Sequence, residues 1–282
     1  MPRGPYTPRL SFRRNGLKAA ILFCLAALLQ GCSLMRAGYV SFRSPEDFPK
    51  VSEAPPVYAE PGAEEIARTL AAALPQAVRQ IEATHGGPMA APPPIIVCAT
   101  APCYGHYAAI PASAAETLKD IRITINGALI LKGERDTVQL LTHELSHYYW
   151  YAQGILFQPR WFEEGLAVWA SGGGGAEKAS VEAAGQAIAA GKMIHPTLDS
   201  GLWTYLFHPP EAPDNNWYQF YRQSGMFVQS LHDSSPDRFN ALLAALRQTG
   251  DLQTAWPTVY PDSPDVMWAR FTADISRQAT AN

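Results

Sequence analysis

The clearest periodic pattern of apolar residues lies just after residue 62. Its members follow one another at intervals of three or four residues, which places them on one face of an α-helix. They are Ile66, Leu70, Leu74, Val78 and Ile81. Pro75 lies inside the pattern, where a proline removes a backbone hydrogen bond and favours a kink. The pattern therefore predicts a long helix with one buried face and a bend near its middle.

Two short apolar runs follow this helix and are typical of β-strands. The first, Ile95–Cys98, is rich in β-branched residues and has the length of a buried strand. In the second, isoleucines alternate with polar residues from Ile121 to Ile125 and reach Asn126-Gly127, a dipeptide that favours a hairpin turn. The apolar run 128–131 would then form the returning strand. We therefore expect a small sheet in this part of the chain.

A second amphipathic helix is predicted to begin after Asp136. That aspartate can cap the first turn, with Gln139 at the third helical position, and Gly154 is typical of a helix end. The expected core-facing stripe consists of Val138, Leu141, Leu145 and Tyr148.

The C-terminal part is also predicted to be helical. Ser235-Pro236 begins a helix that runs to Gly250, and Ser263-Pro264 begins another that runs toward Ser276. Upstream of both, four glycines at 172–175 interrupt the chain. Because no Gly-Lys-Ser/Thr sequence follows them, they favour a flexible connector or mobile lid over a phosphate-binding loop.

The N-terminus has the pattern of an export signal. Five basic residues precede an uncharged apolar run from Ala19 to Leu29, which is short for a membrane span. The run ends in Leu29-Gln30-Gly31-Cys32, which resembles a bacterial lipobox. This resemblance implies a signal peptide over residues 1–31, lipidation of Cys32 and, with Ser33 behind it, the periplasmic face of the outer membrane. An ordinary cleaved signal with an incidental Cys32 is the alternative.

Charge and cysteine content change once the signal is removed. Residues 1–31 contain five of the 22 basic residues and none of the 25 acidic ones, so the net charge falls from −3 to −8. No basic stripe indicates nucleic-acid binding. Cys98 and Cys103 remain as a pair in an oxidising compartment, where a disulfide is expected, although two reduced buried thiols would fit the same spacing. The proline-bearing segment 32–61 is predicted to be a tether.

Candidate chemistry is concentrated in the second amphipathic helix. His143-Glu144-Leu145-Ser146-His147 is an HExxH motif, in which two imidazoles one helical turn apart can hold one metal ion. Glu144 is then the candidate general base. A catalytic zinc site needs a third protein ligand from elsewhere, since such sites have three ligands and one open position.

The segment 161–167, Trp-Phe-Glu-Glu-Gly-Leu-Ala, contains the candidate third ligand. It resembles the second helix of gluzincin peptidases, in which the glutamate before the glycine binds zinc, and by this resemblance the ligand is Glu164. Glu163 is the alternative, but the two side chains differ by about 100° around one helix and cannot both face the metal. The metzincin pattern is excluded, because Trp150 and Gln153 occupy the positions of its glycine and third histidine.

A third segment extends the resemblance toward the C-terminus. Residues 221–228, Tyr-Arg-Gln-Ser-Gly-Met-Phe-Val, are similar to the segment that follows the zinc helices in peptidase MA-like proteins. The resemblance implies an α+β, zincin-like domain over residues 62–282, with a small antiparallel-edged sheet, active-site helices and a helical C-terminal part. It also implies an oxyanion donor, for which we take Tyr221, with Tyr218 and His208 as alternatives.

These features together favour a zinc peptidase of the bacterial cell envelope. One Zn²⁺ ion held by His143, His147 and Glu164 would act with Glu144 on water, and peptides or proteins would be the substrates. Endopeptidase action is favoured, because Gly87-Pro88-Met89 lacks the Glu-Asn by which related aminopeptidases hold a free N-terminus. The alternative is a lipoprotein that keeps the zincin scaffold as a binding or assembly factor without turnover.

Overall fold

The computed structural model describes residues 35–208 and 210–281. Cys32 and the predicted signal peptide lie outside these ranges. In the described part, five short strands form one sheet in the order β1-β2-β3-β5-β4. The strands are β1 (Lys50–Glu53), β2 (Pro56–Ala59), β3 (Ile95–Cys98), β4 (Ala115–Leu118) and β5 (Arg122–Asn126). The three inner strands are parallel, and each edge strand pairs antiparallel with its neighbour. The expected antiparallel edges are therefore confirmed.

Helices account for most of the remaining described chain, apart from two single 3₁₀ turns. The first four are α1 (Glu64–His85), α2 (Ala101–Tyr107), α3 (Gly127–Leu131) and α4 (Thr137–Tyr151). The next four are α5 (Arg160–Ala170), α6 (Val181–Ala189), α7 (Gly201–Phe207) and α8 (Trp217–Ser234). The last three are α9 (Pro236–Thr249), α10 (Leu252–Ala255) and α11 (Pro264–Ala281). A further helical segment, residues 35–41, precedes the sheet. A mixed sheet followed by a helical C-terminal part agrees with the predicted α+β class.

The central strand β3 joins two apolar layers, because successive strand side chains point to opposite faces. Ile95 and Val97 belong to the main core with α1, whereas Ile96 and Cys98 pack with α2. All four residues of β3 are buried, as expected for a parallel strand that is covered on both faces. The strand therefore appears in the sequence as a continuous apolar run rather than as an alternating one.

The predicted disulfide lies at the end of this central strand. Cys98, the last residue of β3, is bonded to Cys103 in α2, with 5.5 Å between the two Cα atoms. The side chain of Thr100 accepts a hydrogen bond from the Cys103 backbone N–H and so caps the start of α2. The bond and the cap together hold α2 against the sheet.

The segment 32–61 is not a tether along its whole length. Its second half forms β1 and β2, and β2 pairs with the central strand β3, so the folded domain begins before the predicted boundary at residue 62. The patterns are hard to see because each strand has four residues, Ala54 and Pro55 separate them, and β2 itself begins with Pro56. Prolines at a turn between strands, rather than in a flexible linker, account for the composition of this segment.

The hairpin predicted at Asn126-Gly127 is wrong. The chain enters α3 directly after β5, and the antiparallel partner of β5 is the upstream strand β4. Gly127 is required by a close contact rather than by turn geometry, since a Cβ atom there would lie 2.6 Å from the Cys98 carbonyl oxygen. The same Asn-Gly dipeptide is therefore compatible with a strand-to-helix junction.

Most of the predicted helices are confirmed. α1 runs without a break over Pro75, and α9 and α11 begin at the predicted prolines. In α4 the residues predicted to face the core are buried, except for Val138, which is 39% exposed because it lies in the first turn, away from the core. No helix within residues 35–208 and 210–281 has the length and apolar content to cross a bilayer.

Candidate metal centre

Helix α4 carries the HExxH motif and begins at its predicted cap. The carboxylate of Asp136 accepts hydrogen bonds from the backbone N–H groups of Val138 and Gln139, at 2.9 and 2.8 Å. This fixes the start of the helix, so that His143 and His147 lie one turn apart on the same face. Both imidazoles are buried, and their Nε2 atoms are 3.2 Å apart.

Helix α5 brings Glu164 to the same point. Its Oε2 atom lies 3.4 Å from Nε2 of His143 and 3.5 Å from Nε2 of His147. A tetrahedral zinc ion with ligands at about 2.0–2.2 Å requires its ligand atoms to be about 3.3–3.6 Å apart. The three ligand atoms therefore fit one zinc ion, and they form a buried group able to hold a metal.

The electrostatics of this group are determined by the mutual proximity of a buried carboxylate and two buried imidazoles. Burial alone would raise the pKa of Glu164, but the adjacent His147 and His143 hold it well below its usual value. Burial disfavours the charged form of His147, yet Glu164 and Glu163 together raise its pKa well above the usual value. Glu164 is consequently an anion at neutral pH, which is the form that binds a cation.

Two glycines allow the helices around the site to pack closely. A Cβ atom at Gly165 would lie 2.7 Å from the Ser224 carbonyl oxygen, and one at Gly225 would lie 2.5 Å from Cγ1 of Val168. Helices α5 and α8 therefore approach each other almost backbone to backbone at these points. The glycine after Glu164 thus has a packing role, since it admits α8, the helix that carries Tyr221.

The glycine run 172–175, predicted to be a flexible connector or mobile lid, packs in part against the candidate site, with Gly173 and Gly174 buried and Gly172 exposed. The Gly174 carbonyl accepts a hydrogen bond from Nδ1 of His143 at 2.8 Å. Because a carbonyl can only accept, Nδ1 carries the proton and Nε2 is left free to bind a metal. A Cβ atom at Gly175 would lie 2.9 Å from the His143 ring, so larger residues would displace this imidazole. The glycine loop therefore orients a candidate ligand.

Glu163, the alternative to Glu164, lies behind His147 and not at the convergence point. Its Oε1 atom is 3.5 Å from Nδ1 of His147 and accepts a hydrogen bond from the hydroxyl of Tyr151. Glu163 therefore faces Nδ1 of His147, while Nε2 of the same imidazole faces Glu164. A carboxylate at this position can orient the imidazole, but it lies away from the point where the three candidate ligand atoms converge.

Glu144 is held by a residue that the sequence did not reveal. The hydroxyl of Thr117, in the edge strand β4, lies 2.7 Å from Oε2 of Glu144 and 2.9 Å from its carbonyl oxygen. The hydroxyl has one proton, so it donates to one of these acceptors at a time. The strand at the open edge of the sheet thus directly contacts the candidate general base.

Of the three candidate oxyanion donors, Tyr221 lies beside the ligands. Its ring centroid is 6.4 Å from that of His143. The charge of Glu164 and burial raise its pKa well above the usual value, so the phenol keeps its proton and can donate it. The hydroxyl of Tyr218 instead accepts a hydrogen bond from Arg135, and His208 is exposed on the wall of a neighbouring cavity of about 190 Å³.

Two further residues near the site carried no recognisable signal. Arg160 lies one helical turn before Glu164, with Nη1 3.8 Å from its Oε1 and the guanidinium 4.0 Å above the ring of Tyr205. On the other side of α4, His85 and Ser146 share a hydrogen bond of 2.8 Å. Burial lowers the pKa of His85 to about 3, so this imidazole is neutral at pH 7. Only the i, i+4 spacing of Arg160 and Glu164 could have indicated either contact.

Comparison of the chain with protein-family models, with curated proteins and with solved structures gave no significant match.

Proposed function

We propose that this chain is a zinc-dependent peptidase with a zincin-like fold of the gluzincin type, acting on peptide bonds in the bacterial cell envelope. The observation that carries the proposal is the convergence of Nε2 of His143, Nε2 of His147 and Oε2 of Glu164, with mutual distances of 3.2–3.5 Å. A purely structural zinc site would be closed by four ligands, commonly cysteines. Here three candidate ligands converge next to the carboxylate of Glu144 and the phenol of Tyr221.

The chain supplies the groups that peptide hydrolysis requires. Zinc, when bound, would polarise the scissile carbonyl and lower the pKa of a coordinated water toward about 7. Glu144, oriented by Thr117, would accept a proton from that water and pass it to the leaving amine. The Tyr221 hydroxyl would donate a hydrogen bond to the substrate carbonyl oxygen as negative charge develops there.

The edge strand β4, whose outer side pairs with no strand of residues 35–208 and 210–281, supports peptides or proteins as the substrate class. An extended peptide can add to such an edge as a further strand, with its backbone hydrogen-bonded to the sheet. Thr117 in β4 contacts Glu144, so a strand bound at this edge would run beside the proposed base. The same arrangement favours endopeptidase action, because recognition of the substrate backbone does not require a chain terminus. The lipobox-like sequence at Cys32 supports a lipid-anchored location.

The metal site is tested first, by zinc stoichiometry in three matched proteins. We expect about one zinc per chain in the wild type and a clear loss of zinc in Glu164→Ala, with Glu163→Gln retaining more zinc than Glu164→Ala because Glu163 contacts His147 without facing the metal position. Glu163 is the control because it is equally buried and neighbours Glu164 in sequence. Absence of zinc from the wild type after dialysis against zinc would overturn the proposal.

Turnover is tested separately with an internally quenched peptide library. We expect Glu144→Gln to keep its zinc while cleavage falls by about 10²–10⁴-fold, the usual contribution of a general base. Full activity in this variant would remove Glu144 from its role. Zinc binding without cleavage of any peptide or unfolded protein would instead favour a non-catalytic lipoprotein that binds partners on a zincin scaffold.

A further inference from the structure

The helical segment 35–41 is fixed to the domain through one of its faces. Val40 is buried, and Arg36 donates hydrogen bonds to the carbonyl oxygens of Ala108, at 3.2 Å, and of Gly105. At the other end, the guanidinium of Arg122 donates to the carbonyl oxygens of Val40 and of a residue just beyond the helix. These contacts determine which face of the segment points away from the protein.

A separate, exposed face of the segment presents three large apolar side chains to solvent. Met35 is 69% exposed, Tyr39 is 55% exposed and Phe42, one residue beyond the helix, is 91% exposed. They lie at positions i, i+4 and i+7, so they form one stripe rather than scattered surface residues. A contiguous exposed apolar stripe on a segment held by buried hydrogen bonds is typical of an interaction surface.

The chain on the N-terminal side indicates what covers this stripe. Two residues lie between Cys32 and Met35, so three Cα-to-Cα steps join them, and because an extended chain spans at most about 3.6 Å per step the two Cα atoms lie within about 11 Å of each other. If Cys32 carries lipid, the bilayer surface cannot be farther from the stripe than this short connection permits.

The chemistry of the stripe also matches a bilayer interface. Aromatic side chains favour the headgroup region, and arginines can pair with lipid phosphates. The guanidinium of Arg43 lies 4.2 Å above the ring of Tyr39, next to the apolar side chains. This local positive charge contrasts with the net charge of −8 expected for the mature chain, and together with the apolar side chains beside it, it matches the phosphate-bearing headgroups at a bilayer surface.

We propose that Met35, Tyr39 and Phe42 form a membrane-docking face that enters the interfacial region of the bilayer holding the lipid anchor. The proposal rests on lipidation of Cys32 and not on peptidase activity. Docking would also fix the distance between the candidate metal centre and the bilayer surface. Arg122, which holds the segment, pairs with Leu118 in β4, directly after the Thr117 that contacts Glu144.

A depth measurement on the full, lipidated protein tests this proposal. The environment-sensitive dye NBD is attached at Phe42→Cys or, as control, at Trp203→Cys, because Trp203 is an exposed aromatic residue of α7 (62% exposed). Each protein is reconstituted into vesicles of phosphatidylethanolamine and phosphatidylglycerol that contain spin-labelled lipid. We expect blue-shifted emission at position 42 and quenching at least three times that at position 203. Adding Met35→Ser and Tyr39→Ser should reduce the quenching at position 42 to the control level.

Three results would overturn the proposal. Equal, weak quenching at positions 42 and 203 would mean that the stripe stays out of the bilayer. Quenching that survives both serine substitutions would mean that the anchor alone brings position 42 to the lipid. A mass spectrum showing an unacylated mature protein would remove the premise. None of these readouts depends on zinc or cleavage, so a failed docking test and a failed peptidase test remain distinguishable.

Discussion

His85 should make the protein less stable as the pH falls from 7 to 5. The imidazole is fully buried between α1 and α4, stacked on Trp150 and hydrogen-bonded to Ser146, and burial lowers its pKa to about 3. In the unfolded chain its pKa is about 6.5. Between pH 3 and pH 6.5 the unfolded state binds a proton on His85 that the folded state does not bind. The neutral, buried His85 therefore makes its full contribution to stability above pH 6.5, and this contribution is lost as the pH decreases.

The magnitude follows from the two pKa values. At pH 5 the unfolded state gains about 2 kcal/mol from protonation of His85, and the full loss below pH 3 approaches about 5 kcal/mol. Because a domain of this kind is stable by only about 5–15 kcal/mol, a change of 2 kcal/mol is readily measured.

The assay is urea unfolding at pH 7 and pH 5, with a chelator present so that protons and metal do not compete. The test variant is His85→Phe with Ser146→Ala, which keeps an aromatic ring against Trp150 and leaves no buried hydroxyl unpaired. The exposed His106→Gln is the control. We expect the wild type and the control to lose about 2 kcal/mol more than the variant between the two pH values. Equal losses in all three proteins would refute the assignment of a neutral, buried His85.

Three further predictions concern packing, the proposed base and the disulfide. Gly165→Ala should lower the free energy of unfolding by about 1–3 kcal/mol in urea titrations, because the new Cβ atom would overlap a backbone carbonyl oxygen. The control Gly185→Ala, whose Cβ atom would make an ordinary contact at 3.6 Å, should not be destabilising. Thr117→Val should lower kcat in a peptide-cleavage assay about ten-fold or more while zinc stoichiometry stays unchanged, since it removes a hydrogen bond to the proposed base. Replacing Cys98 and Cys103 by serine should lower the free energy of unfolding by about 2 kcal/mol, the loop-entropy value for a disulfide that closes so short a loop. Calorimetry measures this change, and an unchanged melting temperature would contradict the prediction.

The sequence was most informative where one segment determines its own conformation. The helical periodicity of α1 and the cap at Asp136 depend on neighbours within a few residues, and both were predicted correctly. Strands β1, β2 and β4 were missed because four residues are too few to establish an alternating pattern. The hairpin error has a similar origin, since the close contact that requires Gly127 comes from a distant strand.

The residues of the candidate site fall into the same two groups, those that the local sequence could place and those that reach the site through tertiary contacts. His143 and His147 could be placed relative to each other because one helix carries both, and the position of Glu164 could be inferred only through resemblance. Thr117 and the Gly174 carbonyl were missed because they reach the site through tertiary contacts. A threonine in a short strand, or a backbone oxygen in a glycine run, has no local pattern by which its partner can be identified.

The free edge of β4 has a consequence for crowded conditions. Proteins usually protect such an edge with outward charges, bulges or prolines, because exposed backbone groups can pair with any extended chain. In β4 the charged residue is Glu116, but its carboxylate is engaged by the backbone N–H groups of Ala109 and Ile110. If this edge binds substrate as proposed, it can equally pair with β4 of a second copy. If the protein is also anchored to a membrane as proposed, molecules at high surface density would block one another's clefts, and activity per molecule would fall as the surface fills.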